Sequence, residues 1–314
     1  MLVAVGARTI AARPGYRRTP AGQVLDAARF TTVATLDLPA AKARTLVLAT
    51  TVRVTVPIRI ALSVRAWCEA PRRTAAAPDV RSLGDALVIG QNPIPGGSAT
   101  ALASRTLTGR AVVTVPADVA ARCVLQVSPR TESTQGSSLR LVSGTFSARP
   151  VPVVARAAQR PAVLVGAPGS PGSAGRARPV REVAPLGPLD TQGAVRLEAD
   201  LALSTCALGY HLCARGVPAG AAVDVALRLD DMTAGGAVCR AWRGGTRRVT
   251  ITPAVHHVKV LLPALTVQQR CGDTVRAWLE VAHRDGNAVE VEPVLLPAGP
   301  TPALVQTHTW LASS

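Results

Sequence analysis

The sequence predicts an all-β chain of two tandem antiparallel β-sandwich modules, of jelly-roll or immunoglobulin-like kind, joined by a Pro/Gly-rich linker. Three observations predict it. Apolar and polar residues alternate in segment after segment, the signature of half-buried strands. These segments are short and recur at roughly 8–12-residue spacing between Gly, Pro and Asp turns. A Gly/Pro/Ser run then divides the chain into halves that echo each other.

Residues 1–22 carry Arg8, Arg13, Arg17 and Arg18, broken by Pro14-Gly15 and Pro20, with no apolar period, and read as an extended basic arm. The first module, 23–157, holds the clearest strand signal. Val52, Val54, Val56, Ile58, Ile60, Leu62 and Val64 alternate with Arg53, Thr55, Pro57, Arg59, Ala61, Ser63 and Arg65. Pro57 cannot donate to a ladder, so it marks an edge, a bulge or a break between two strands. Further strands are expected over 32–38, 45–49, 86–89, 110–115, 123–127 and 139–147. Helical periodicity fits only single turns at 80–87 and 117–121.

Residues 158–188, with Gly166-Ala167-Pro168-Gly169-Ser170-Pro171-Gly172, read as a linker without a core of its own. The second module, 189–314, opens on Val195, Leu197, Ala199, Leu201 and Leu203 alternating with Arg196, Glu198, Asp200, Ala202 and Ser204. Strands over 223–229, 247–252, 258–262, 274–282, 288–294 and 304–309 complete it. The echo joins Ile58–Val64 to Val223–Leu229, and Arg122-Cys123 to Arg270-Cys271.

The bulk numbers narrow the function. At 314 residues with 48% hydrophobic content, each half can bury a core, and no run of 18 apolar residues predicts a membrane helix. The net charge of +16 comes almost wholly from arginine, since lysine occurs only at Lys42 and Lys259. The arginines are spread along the chain and only 3% of residues are aromatic, so nucleic-acid contact is expected to be incidental. Met1–Ile10 lacks the basic start and apolar core of a secretory signal. Six cysteines point instead to an oxidising setting. A virion or the extracellular or cell-surface space accommodates both.

The disulfide candidates are Cys68, Cys123, Cys206, Cys213, Cys239 and Cys271. The echo between the halves selects 68–123, 239–271 and a local 206–213 bridge. Cys206, His211 and Cys213 are too loosely spaced for structural zinc, and no metal or cofactor is expected. His256 and His257 fall on opposite faces of a strand, one solvent-facing and one interfacial. Asp230-Asp231 and His283-Arg284-Asp285-Gly286-Asn287 read as turns, the latter with hairpin chemistry. Trp67 and Trp242, each near a cysteine, read as core. The chain shows no G-x-S-x-G, Walker, H-E-x-x-H or dinucleotide motif, and it is expected not to be an enzyme.

The interaction candidates are Arg8, Arg13, Arg17, Arg18, Arg53, Arg59 and Arg65. On one continuous strand the last three would share a face and could meet an acidic partner, although a solvated, edge-protecting face weighs more. The expectation is a non-enzymatic structural or assembly protein. Its setting is a virion, as a capsid-associated, decoration or tail component in a homo- or hetero-oligomer, acting through protein–protein contacts. The alternative is a secreted or cell-surface glycan- or protein-binding module.

Overall fold

The computed structural model describes residues 1–14, 16–19, 22–25, 30–58, 60–70, 87–91, 101–131, 138–156, 163–166, 178–186, 194–205, 220–252, 255–268, 271–272, 274–291 and 308–313, and every regular element among them is a strand. They fall into two compact units, one running to Val151 and the other starting at Pro152.

The first unit holds β1 (Leu2–Val5), β2 (Arg8–Ala11), β3 (Arg13–Pro14), β4 (Tyr16–Thr19), β5 (Gly22–Leu25), β6 (Thr31–Leu38), β7 (Arg44–Pro57), β8 (Ala61–Glu69), β9 (Leu87–Gln91), β10 (Leu102–Val115), β11 (Ala121–Thr131) and β12 (Ser138–Pro150). One sheet runs β1–β12–β7–β10, with β2 also on β12. In the other, β6 and β3 pair with β11, followed by β8 and β9; β4 and β5 form a separate ribbon. The antiparallel pairs are nested: β8 with β9 lies inside β7 with β10, inside β6 with β11, inside β2 with β12. Such a ribbon wrapped into two facing sheets is a jelly roll.

Alternation dictates what the sheets enclose. Leu46, Leu48, Val52, Val54 and Val56 of β7 meet Leu62, Val64, Ala66 and Cys68 of β8 in one apolar core. Thr50 sits in the same inward row, and its hydroxyl donates to the Thr145 carbonyl at 2.9 Å, so its burial leaves no unsatisfied group.

Pro57 is where the long alternating segment divides. The Ile60 amide donates to the Pro57 carbonyl, the Ile58 amide to Ala101, and the chain crosses from one sheet to the other. Arg53 and Arg65 therefore lie on different sheets, and the shared basic stripe does not form. The basic arm is also corrected: Leu2–Val5 and Arg8–Ala11 pair with β12 and bury Val5 and Ile10 in the core. Two isolated apolar residues suffice to dock a strand onto an existing sheet edge, and they leave no period to read. Residues 117–121 form no helical turn; Asp118 takes φ 58° and its amide donates to the Ala41 carbonyl.

The second unit holds β13 (Val153–Arg156), β14 (Val163–Val165), β15 (Arg178–Leu186), β16 (Val195–Thr205), β17 (Ala221–Met232), β18 (Val238–Arg243), β19 (Arg247–Ile251), β20 (His257–Leu261), β21 (Leu265–Val267), β22 (Thr274–Gly286), β23 (Val289–Val291) and β24 (His308–Ser313). Its sheets are β13–β24–β16–β23–β14, with β20 and β21 also on β16, and β15–β22–β17–β18, with β19 on β17. The nesting recurs: β17 with β18 inside β16 with β20, inside β15 with β22, inside β13 with β24.

Two expectations change here. The stretch read as a linker contributes β14 and β15, and β15 is an integral edge strand. Pro179 and Pro185 are tolerated because an edge strand need not donate on both sides, and the register shifts beside both. Residues 283–287 are not a hairpin. β22 continues to Gly286 in one sheet and the chain then crosses to β23 in the other.

Gly286 makes that crossing at φ 80°, and a Cβ there would lie 2.4 Å from the Gly220 carbonyl oxygen. Gly286→Ala is expected to lower stability by about 1–3 kcal/mol, read as a fall in the denaturant midpoint.

Candidate functional site

The first candidate surface is the outward side of the β6–β11–β8 sheet. Because β8 points Leu62, Val64, Ala66 and Cys68 inward, it must point Ser63, Arg65 and Trp67 outward. The Arg65 guanidinium carbon lies 3.7 Å from the Phe30 ring centroid and 4.4 Å from that of Trp67. Its Nε and Nη2 both donate to Gln126 Oε1, at 3.0 and 2.9 Å, and Gln126 Nε2 donates to Thr32 Oγ1 at 3.0 Å. Burial lowers the Arg65 guanidinium from its ordinary value, yet arginine stays cationic in proteins. The result is a charge held between two rings and fixed by a fork. At the rim of the same sheet, Asp37, Glu69 and Arg122 line a cavity of about 500 Å³, with Arg122 Nε on Asp37 at 2.8 Å.

The second surface is the outward side of β17 and β22, laced with ion pairs. Asp224 accepts from Arg248 Nε at 2.9 Å and from Arg284 Nε at 2.8 Å. Asp230 accepts from Arg228 Nε and Trp278 Nε1, both at 2.8 Å, and Glu280 accepts from Arg243 Nε at 2.6 Å. Four arginines thus hold three carboxylates.

The outward side of β16 is different, because from Glu198 onward it is closed to solvent, with Arg196 exposed ahead of it. Glu198, Asp200 and Ser204 are buried there, as is Trp310, which faces Glu198 from β24. Lys259, from β20, places Nζ 3.2 Å from Asp200 Oδ2; the two side chains are 3% and 0% exposed. His257, two residues before Lys259, is buried with His256, their ring centroids 4.7 Å apart. The reading of one solvent-facing histidine is thereby corrected: β20 begins only at His257 and His256 precedes it, so strict strand alternation does not govern the pair.

Cys68 and Cys123 are register partners on β8 and β11 and form a buried disulfide. Cys239 on β18 and Cys271 ahead of β22 form an exposed one. The cysteine echo is therefore only partial, since the bridges occupy different places in the two jelly rolls. Cys206, His211, Cys213 and Arg59 lie outside the described residues. Asp231 stands near the second bridge, whose sulfurs, bonded to each other, offer no thiolate. Asp230-Asp231 is not a turn; both residues lie within β17 and are buried. Asp231 accepts from the backbone amides of Cys271 and Gly272.

Arg8 donates to the backbone carbonyls of Val33 at 3.1 Å and Thr32 at 3.5 Å, tying its sheet to the facing one. Arg13 lies in β3, Arg17 and Arg18 in β4, and Arg53 is exposed on β7. Trp67 is not core but outward-facing, whereas Trp242 packs against the second core. Sequence reasoning passed over the Asp200–Lys259 pair. Its one signal was a lysine inside a strand of a chain that otherwise uses arginine.

No protein-family model matches the chain, and no curated protein matches it. Among solved structures it is similar to the stem and receptor-binding domain of the spike protein P1 of bacteriophage PM2, at 9% identity over 99% of this chain and 97% of that one, with a TM-score of 0.26. It is similar to PNGase F, a glycosylasparaginase from Flavobacterium meningosepticum, at 10% identity over 98% and 96%, TM-score 0.24. A third is a chain of Broad Bean Stain Virus, at 8% identity over 96% and 93%, TM-score 0.24. Likenesses of this degree carry no argument about function.

Asp224 gives the second surface a pH dependence. Hydrogen bonds from Arg248, and then from Arg284, outweigh the opposing effect of desolvation and hold its carboxyl below the ordinary value. A depressed carboxyl contributes stability that is complete above its unfolded value and lost as pH falls through the folded one. Wild type is therefore expected to lose more stability than Asp224→Asn between about pH 5 and pH 2, measured by denaturant unfolding at each pH.

Proposed function

We propose that this chain is a non-enzymatic building block of a protein assembly, a virion component that acts through contacts between jelly-roll surfaces. The observation that carries the reading is the Phe30–Arg65–Trp67 stack. A chain with only eight aromatic residues, four Trp, two Tyr and two Phe, spends two of them on an outward sheet face. Tryptophan and arginine are the residues that anchor protein interfaces, because they supply large contact area at little cost in conformational freedom. Here the arginine is already immobilised by Gln126 before any partner arrives.

Two further features support the reading. Asp224, Asp230 and Glu280 are each engaged by arginine, an arrangement that fixes a surface rather than leaving a reactive carboxylate. Jelly rolls also build viral capsids, although they build lectins too, so the fold ranks the settings by analogy alone. The second reading, a secreted or cell-surface glycan-binding module, draws on the outward Trp67. Arg65 already stands over both rings, on faces a sugar would need.

The test is the size of the purified protein in solution, by light scattering and negative-stain microscopy. A large, uniform, symmetric particle is expected. Trp67→Ala is expected to shift it to small species with the strand content and thermal midpoint of each unit retained. Monomers that bind glycans in a Trp67-dependent way would favour the second reading.

A further inference from the structure

The pair buried on the outward side of β16 is unusual for this chain. Of its 35 basic residues two are lysines, Lys42 and Lys259, so arginine supplies the other 33. Every ion pair described above on the β17–β22 face uses arginine. Lys42 is exposed, whereas Lys259 is closed off beside a fully buried aspartate. Arginine makes the better-satisfied buried ion pair and cannot be discharged. Lysine at this one position keeps what arginine lacks, an amine that becomes nucleophilic once a proton leaves it.

We propose that Lys259 and Asp200 form an intramolecular amide bond, cross-linking β20 to β16. Nζ and Oδ2 stand 3.2 Å apart, within reach of attack at Cγ. The register places Lys259 opposite Ala202 and Asp200 opposite Leu261, so the two side chains are diagonal neighbours on one face. Both side chains are shielded from bulk solvent, and transfer of one proton between them leaves a pair with no charge to desolvate. One proton passes from the ammonium to the carboxylate, giving that neutral pair. The Nζ lone pair then attacks Cγ, the bond from Cγ to one carboxyl oxygen breaks, and that oxygen leaves as water with its own proton and a second proton from Nζ. Ammonium and carboxylate become one amide and one water, with no change of oxidation state and no co-reactant. Glu198, buried on the same face two residues before Asp200, is held by Arg196, whose Nε stands 3.0 Å from its Oε1.

The test is intact-mass spectrometry of the full-length folded protein, run denatured and reduced, with peptide mapping. The expected mass is that of the sequence less one water, with the Lys259 and Asp200 peptides recovered as one branched species. Lys259→Arg is expected at its full mass. Asp200→Asn is expected to lose ammonia instead of water. Wild-type protein at full mass, with the two residues in separate peptides, overturns the proposal, and so does the same water loss in Lys259→Arg. Because the wild-type map decides alone, a variant that fails to fold does not blunt the test. The readout is taken on single denatured chains and is independent of any assembly.

Discussion

Nested strand pairing is the constraint on which both units depend. Once β8 pairs with β9, or β17 with β18, each following pair is added outside the last, and the two sheets can close only with alternate residues facing inward. A slip of one residue in an inner pair would turn a whole row of valines and leucines to the opposite side. The inward rows therefore had to be nearly pure aliphatic, and the outward rows became free to carry arginine, tryptophan and carboxylates. The surfaces described above are the complement of that packing rule.

Central strands were legible for this reason, and edge strands were not. β16 and β17 are flanked on both sides, and the sequence alternates over 195–204 and 223–229, inside the observed strands, although β17 runs on through Asp230 and Asp231 to Met232. β15 is an edge strand with two prolines, and β2 contributes a single core residue, Ile10, so neither leaves a periodic trace. Pro57 was legible as a break because proline removes a ladder donor wherever it stands. Its consequence, sending Arg53 and Arg65 to opposite sheets, depends on which sheet the next strand joins, and that is a property of the pairing order.

The candidate surfaces were legible only in part. Arg65 stood out by charge, but its partners Phe30, Gln126 and Thr32 lie far from it in sequence. Trp67 reads as core from its cysteine neighbour, although the alternation through Leu62 and Val64 already turns it outward. Asp230 and Asp231 looked like turn residues because adjacent aspartates usually are. In β17 one faces out to Arg228 and Trp278 and the other faces in, where two backbone amides replace the water it lost. Burial on the far side of β16 could not be read at all, since nothing in a strand's own pattern says whether its second face is covered.

The two disulfides among the described residues differ in accessibility, and that sets an order on their chemistry. The 68–123 bridge lies inside the first core, out of reach of any reductant until that unit opens, whereas both cysteines of the 239–271 bridge are exposed. A mild thiol therefore meets the second bridge in the native protein and the first only in the unfolded one. Asp231 also grips the Cys271–Gly272 backbone without help from sulfur, so the segment keeps its course after the bond is cut. Loss of the 239–271 bond leaves the Cys271–Gly272 backbone one tie to β17 that does not depend on sulfur, while the 68–123 cross-link is shielded for as long as the first unit stays folded.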